Sequence, residues 1–182
     1  MKKLYRFLLL QHIGAPARPV VKSGDEVERG SLIAVPTQLG ANIHASVTGK
    51  VVEVNDQEIV VEADENQPET YQQITGDTIS ELIQAAGLVG MGGAGFPTHV
   101  KMGDLKGGVI IANGVECEPL LKHNIKQMQE EPEIIYRGLK YAMETTGAAR
   151  GVIAVKAKNT AAIDALRKVI DDVNVTVAPL PD

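Results

Sequence analysis

Residues 150–177 read RGVIAVKAKNTAAIDALRKVIDDVNVTV, and this stretch decides the fold. Val152–Val155 is a short continuous apolar run, the mark of a buried strand. Asn159 stands where a helix cap belongs, and Ile163, Leu166, Val169 and Ile170 then fall along one helical face. Val173–Val177 is strand-like again. A strand, a helix and a strand in so short a span predict parallel pairing through a crossover. The same grammar extends upstream. Val109–Ala112 reads as a strand, and Pro132 opens a helix carrying Ile135, Leu139, Ala142 and Met143 that stops near Gly147. Earlier still, Thr78-Ile79-Ser80-Glu81 is a capping box. Ile79, Leu82, Ile83 and Ala86 follow on one face, with Gly87 as the stop. The expectation for this half is a parallel sheet covered by helices.

The first third is written differently. Val20-Val21, Leu32–Val35, Val51–Val54 and Ile59–Val61 are short β-branched runs. Turn signals separate them at Ser23-Gly24-Asp25, Gly30, Gly40 and Asn55-Asp56. No room is left for helical crossovers, so the pairing is expected to be antiparallel, in a small barrel or sandwich. Asp64–Gln73 is polar and aperiodic and reads as a linker. The fold class is therefore α+β overall, with a β domain at 1–66 and a partial α/β domain with a parallel sheet at 74–182.

Composition narrows the function. Eighteen Lys and Arg against 23 Asp and Glu leave a net charge of −5, which argues against a nucleic-acid grip. No run of apolar residues is long enough for a membrane span, so no membrane insertion by this chain is expected. The opening Met-Lys-Lys with Leu8–Leu10 imitates a signal peptide, but Gln11-His12 interrupts it where a cleavage region should follow. Cys117 is the one cysteine in 182 residues, which excludes an internal disulfide and a cysteine-ligated cluster or zinc site within the chain. The histidines His12, His44, His99 and His123 show no metal-ligand spacing. His12 and His44 read as imidazoles that satisfy local backbone groups. A reducing, cytoplasmic setting is the default.

The strongest chemistry lies in Gly90-Met91-Gly92-Gly93-Ala94-Gly95-Phe96-Pro97-Thr98, with Lys101 just beyond. Four glycines in six residues exceed what packing should ask for. Consecutive N–H groups in such a loop form an anion nest, and a nearby lysine adds a point charge for phosphate. The loop lacks the ending of a P-loop and does not follow an obvious strand. A second motif, Asn113-Gly114-Val115-Glu116-Cys117-Glu118-Pro119, sits at the carboxyl end of the strand Val109–Ala112, where open α/β sheets place ligands. An amide and two carboxylates suit ribityl or ribose hydroxyls and flavin-edge nitrogens, and suit phosphate poorly. Together the motifs suggest one ligand with a phosphate, a polyol and a ring, namely FMN. Cys117 reads as a packing residue rather than a reactive thiol. Lys122, Lys126, Glu130 and Glu131 read as a solvated face.

GMGGAGFPTHVK followed by NGVECEP resembles the FMN site of the RnfC family, the C-type subunits of the Rnf electron transport complex. More distantly it resembles that of the NADH-oxidising flavoprotein subunit of complex I. QHIGAPA, GDEV and IHASVTGKV are similar to the N-terminal region of the same RnfC family. Its relatives include the cobalamin reductase of propanediol utilisation and an electron-transfer protein associated with D-proline reductase. VKSGDEVERGSLIAV with IHASVTGKVVEV also resembles a lipoyl- or biotinyl-type barrel-sandwich hybrid. Pro36-Thr37-Gln38-Leu39-Gly40 holds no lysine to carry a cofactor, so a swinging arm is not expected.

The resemblance implies that Gly90, Gly92 and Gly93 line FMN, with Lys101 near its phosphate or the incoming nucleotide. It implies that Asn113 and Glu116 hold the flavin, and that Ala94, Phe96 and Glu118 lie toward a nicotinamide nucleotide, NADH. Val115 stands where the complex I pattern has aspartate, and Met102 where it has tryptophan. Both departures argue against the complex I geometry for direct NADH oxidation and leave the flavin contacts intact. In the resembling families the FMN domain continues past this point, and iron–sulfur clusters follow. The chain is thus expected to be a piece of a longer oxidoreductase, inactive alone. It would pass electrons by FMN from a nicotinamide nucleotide or reduced partner to clusters outside it. Its partners would be other subunits of a reductase or Rnf-type complex, in the cytoplasm or peripheral to the inner face of the membrane. The alternative is a non-catalytic docking or assembly subunit of a reductase complex.

Overall fold

A computed structural model describes residues 3–91, 93–116, 118 and 120–181. The chain divides into two compact units, Met1–Lys101 and Met102–Asp182. Helix and sheet are mixed, and one of the sheets is parallel.

The first unit holds the strands β1 (Lys3–Leu8), β2 (Arg18–Pro19), β3 (Glu26–Val27), β4 (Leu32–Val35), β5 (Ile43–His44), β6 (Gly49–Val54) and β7 (Glu58–Ala63). They form two antiparallel sheets, ordered β1-β7-β6-β3 and β2-β4-β5. Phe7, Val27, Ile33, Val51, Ile59 and Val61 bury their side chains in one core fed by both sheets. The antiparallel expectation holds. β1 is a strand that the sequence pattern does not reveal. Phe7 and Leu9 point inward, but the alternate positions Leu4, Leu8 and Leu10 are apolar too, each 54% exposed. Apolar residues on both faces hide the period of two that marks a half-buried strand.

The polar stretch after β7 is irregular, as expected of a linker, yet it is strapped to the β sheets. The Gln67 side chain accepts from the Thr48 N–H at 2.8 Å and donates to the Thr48 carbonyl at 2.8 Å. The Gln72 N–H donates to the Arg29 carbonyl at 2.7 Å. The unit continues through α1 (Ile79–Ala85) and α2 (Thr98–Lys101). The predicted capping box is present: Thr78 Oγ1 accepts from the Glu81 N–H, and Glu81 Oε2 accepts from the Thr78 N–H, each at 3.2 Å. Gly87, with φ +65°, ends the helix as expected.

The second unit runs β8 (Val109–Asn113), α3 (His123–Glu130), α4 (Pro132–Thr146), β9 (Arg150–Lys156), α5 (Thr160–Val169) and β10 (Val175–Leu180). Its sheet is parallel, ordered β10-β9-β8. Pro132 opens α4, and Gly147 closes it in the left-handed conformation. The N–H groups of Leu105 and Gly107 then satisfy the Thr146 and Gly147 carbonyls at 2.7 and 3.1 Å.

Helices cover the parallel sheet as expected, all of them on one face within this unit, while two other expectations need correction. Ile153, Val155 and Val175 share a core with Met128, Leu139, Ile163 and Leu166, while Ile111 on the opposite face is 65% exposed. The connections step the same way, from β8 to β9 to β10, and right-handed crossovers in one direction put every helix on one side. Next, Asn159 occupies the cap position of α5, but its side chain makes no capping bond. Finally, the last strand begins at Val175 rather than Val173, because Val173 lies 92% exposed before the pairing with Gly151 starts.

Candidate flavin site

The glycine loop belongs to the first unit and leaves α1 through a tight neck. Val89 and Pro97 form an antiparallel bridge, the Gly90 N–H donates to the Phe96 carbonyl at 2.8 Å, and the Thr98 N–H donates to the Leu88 carbonyl at 2.8 Å. Gly90, Gly93, Ala94, Phe96 and Lys101 are thereby gathered on one loop and the short helix after it. Gly92 lies outside the described residues. Lys101 folds back over the loop: its Nζ sits 5.8 Å from the centroid of the Phe96 ring and 2.6 Å from where a Gly90 Cβ would be. A side chain at Gly90 would thus displace the ammonium. Gly93 is exposed, and a Cβ there would meet nothing within 4 Å. That is backbone open to a ligand.

Packing does account for one of the four glycines. Gly95 is buried, has φ +67°, and a Cβ on it would fall 2.9 Å from the Cβ of His12. No other residue type satisfies both conditions there.

The second motif belongs to the second unit, at the carboxyl end of β8. Asn113 Oδ1 accepts from the Val115 N–H at 3.0 Å, so the side chain shapes its own turn and the NH2 group is the part with donors to offer. The Gly114 N–H donates to the Ala154 carbonyl at 2.8 Å, which carries β8 past its last pair with β9. The Glu116 side chain is only 11% exposed. Its Oε2 accepts from Asn124 Nδ2 at 3.1 Å and lies 3.8 Å from His123 Nδ1, both residues from the first turn of α3. One edge of this carboxylate is therefore fixed by the helix that follows it. Cys117 lies outside the described residues.

Glu116 and Glu118 border a cavity of about 430 Å³ that Leu121, Lys122, Ile125, Lys156, Lys158 and Asn159 complete. It opens where β9 hands over to α5. Lys122, expected on a solvated face, is exposed and also lines this cavity. Lys126 and Glu130 do form a surface pair, 3.8 Å apart. Among the described residues the Asn159 amide nitrogen is one of two buried side-chain polar atoms without a hydrogen-bond partner. Sequence reasoning missed Lys156, Lys158 and Asn159 as cavity residues. Their signal was available, since they follow a predicted strand and open a predicted helix at the ligand end of the sheet.

Among the described residues no cluster of His, Cys, Asp and Glu could hold a metal ion, and no helix is long and apolar enough to cross a membrane. His12 satisfies backbone groups as expected, bonding Ile13 and Ala41. Burial pushes the His44 imidazole below its ordinary pKa.

Comparison with known proteins matches residues 83–182 to the Nuo51 FMN-binding domain and residues 1–70 to the RnfC barrel sandwich hybrid domain. The chain is 37% identical over 192 aligned positions to the C-type component of the proton-translocating ferredoxin:NAD(+) oxidoreductase complex of Clostridium ljungdahlii, covering 94% of this chain and 42% of that protein. It is 38% identical over 180 positions to the C-type component of the Na(+)-translocating ferredoxin:NAD(+) oxidoreductase complex of Acetobacterium woodii, covering 87% and 41%. It is 44% identical over 109 positions to the cobalamin reductase PduS of Salmonella typhimurium, covering 60% and 24%. The chain thus spans less than half the length of these curated relatives. With over half of its residues under one family model, the chain belongs to the Nuo51 FMN-binding domain family, and it resembles the RnfC proteins along most of its length.

Proposed function

We propose that the chain is the FMN-holding part of an electron-transfer flavoprotein. The observation that carries this reading is the glycine loop. Its neck is closed by backbone bonds, Gly93 stands open at its tip, and the Lys101 ammonium is folded onto it. Such a loop offers N–H donors and one positive charge, which fits a phosphate-bearing planar ligand. In this reading Gly90, Gly92 and Gly93 line FMN, Lys101 supports its phosphate, and Asn113 and Glu116 hold the flavin through an amide donor and an anchored carboxylate. Ala94, Phe96 and Glu118 border a nicotinamide nucleotide. FMN, when bound, supplies the hydride and electron chemistry, while the protein contributes position and electrostatics.

The family likeness supports a modular reading, with a lipoyl- or biotinyl-like barrel-sandwich hybrid at 1–66 and an FMN-binding segment at 74–182. It also supports a place beside other subunits of a reductase or Rnf-type complex, in the cytoplasm at the inner face of a membrane. There, electrons would leave for iron–sulfur clusters outside these residues. The test is anaerobic mixing of the FMN-loaded protein, in a version extended to the length of its relatives, with NADH. Bleaching of the flavin absorbance upholds the nucleotide-linked reading. A flavin that stays oxidised with NADH but is reduced by a low-potential protein donor would restrict the role to transfer between proteins.

A further inference from the structure

The QHIGAPA segment has no part in the flavin reading above, yet its histidine lies directly beneath the glycine loop. His12 is 8% exposed. Its Nδ1 is 3.0 Å from the Ile13 carbonyl, and its Nε2 is 3.1 Å from the Ala41 N–H. A carbonyl can only accept, so Nδ1 carries the proton and Nε2 accepts from Ala41. The Ala41 carbonyl, 3.3 Å from Nε2, would bond only to the other tautomer, which would leave no proton between Nδ1 and the Ile13 carbonyl and would set the Nε2 proton against the Ala41 N–H.

The ring is held from two sides. A Cβ on Gly40 would fall 2.7 Å from His12 Cε1, and one on Gly95 would fall 2.9 Å from His12 Cβ. Beside it, the Ile13 N–H donates to the Ala94 carbonyl at 2.7 Å. One residue thus joins the β4–β5 hairpin, through Gly40 and Ala41, to the far shoulder of the glycine loop, through Ala94 and Gly95. The next hairpin residue, Asn42, reaches the near side, where its Nδ2 donates to the Gln84 and Ala85 carbonyls at 3.4 and 3.3 Å. The hairpin, which holds no carrier lysine, is turned to another use.

We propose that His12 is a positioning residue for the glycine loop, and that the β sheets serve as the platform from which it acts. A loop rich in glycine has many conformations to lose on binding, and fixing its shoulder beforehand reduces that loss. The proposal rests on the reading that this loop holds FMN.

The test combines two measurements on the chain, in the version extended to the length of its relatives, and on its His12→Leu, His12→Gln and Gly40→Ala variants. Amide hydrogen exchange reads the mobility of residues 89–97 against that of β6 and β7, and flavin fluorescence quenching reads FMN affinity. His12→Leu is expected to speed exchange in the loop while β6 and β7 keep their protection. It should also weaken FMN binding by about tenfold, as loss of preorganisation does. His12→Gln, whose carboxamide oxygen can accept from Ala41, should recover most of both. Should His12→Leu fail to fold, Gly40→Ala, which pushes on the ring from the hairpin side, must produce the same local loosening. Loop exchange unchanged in the folded variants overturns the proposal. Exchange needs no ligand: if the unaltered chain binds no FMN, the flavin reading falls, and loop exchange alone still decides the role of His12.

Discussion

The carbonyl oxygen of Asn42 lies 2.2 Å from where a Cβ on Gly87 would sit. Gly87 also has φ +65°, so two independent constraints require glycine at the end of α1. Gly87→Ala must strain the backbone by about 1–2 kcal/mol and push the hairpin away as well. We expect a loss above about 2 kcal/mol in the stability of the first unit, read by chemical denaturation with a probe in β6 or β7. A loss within a few tenths of a kcal/mol would show that α1 is not seated on the hairpin.

Gly138 makes the opposite case. It lies within α4, exposed, and a Cβ there would meet nothing within 4 Å. Gly138→Ala removes conformational freedom from the unfolded chain without a clash. It should raise the stability of the second unit by about 0.5–1 kcal/mol, seen as a higher midpoint in thermal unfolding.

The start of α1 depends on one hydroxyl. Thr78→Ala removes the acceptor for the Glu81 N–H and should destabilise the helix by about 1 kcal/mol. Thr78→Ser keeps the oxygen and should stay close to the parent. Hydrogen exchange at residues 79–86 distinguishes the two.

His44 sets a pH dependence. Burial holds its imidazole below the ordinary value of 6.5, so the unfolded chain binds the proton more readily than the folded one. Its neutral form therefore leaves stability whole above that value, and stability falls as pH drops through it. A plot of unfolding midpoint between about pH 7 and about pH 5 should slope downward on acidification, and less steeply in His44→Gln. Equal slopes would remove His44 from the account.

How much of this was legible beforehand depended on whether a signal was local. The parallel sheet, the Pro132 and Gly147 boundaries of α4 and the Thr78 box were readable because strand runs, cap chemistry and stop residues act within a few positions. The glycine loop and the Asn113 motif stood out as candidates for the same reason, each being a local pattern of residue types. β1 was not, because Leu4 and Leu8 masked the alternation of Tyr5 and Phe7. The burial of Gly95 against His12 was not either: the contact spans more than eighty residues, and nothing in Gly92-Gly93-Ala94-Gly95 tells an open glycine from a packed one. Asn159 had the right residue type and position for a cap, but the backbone there turns its amide into the interior instead.

The most direct measurement is an FMN titration, by fluorescence quenching, of the protein extended to the length of its relatives and of its Gly93→Val and Asn113→Ala variants. Gly93→Val fills the open backbone at the loop tip with no neighbour to disturb, so folding should survive it. The account predicts saturable binding by the parent, with a loss of about tenfold or more in each variant at unchanged circular dichroism, a difference of about 1.4 kcal/mol. Binding that is equally tight in all three proteins would contradict it and place the flavin elsewhere on the chain.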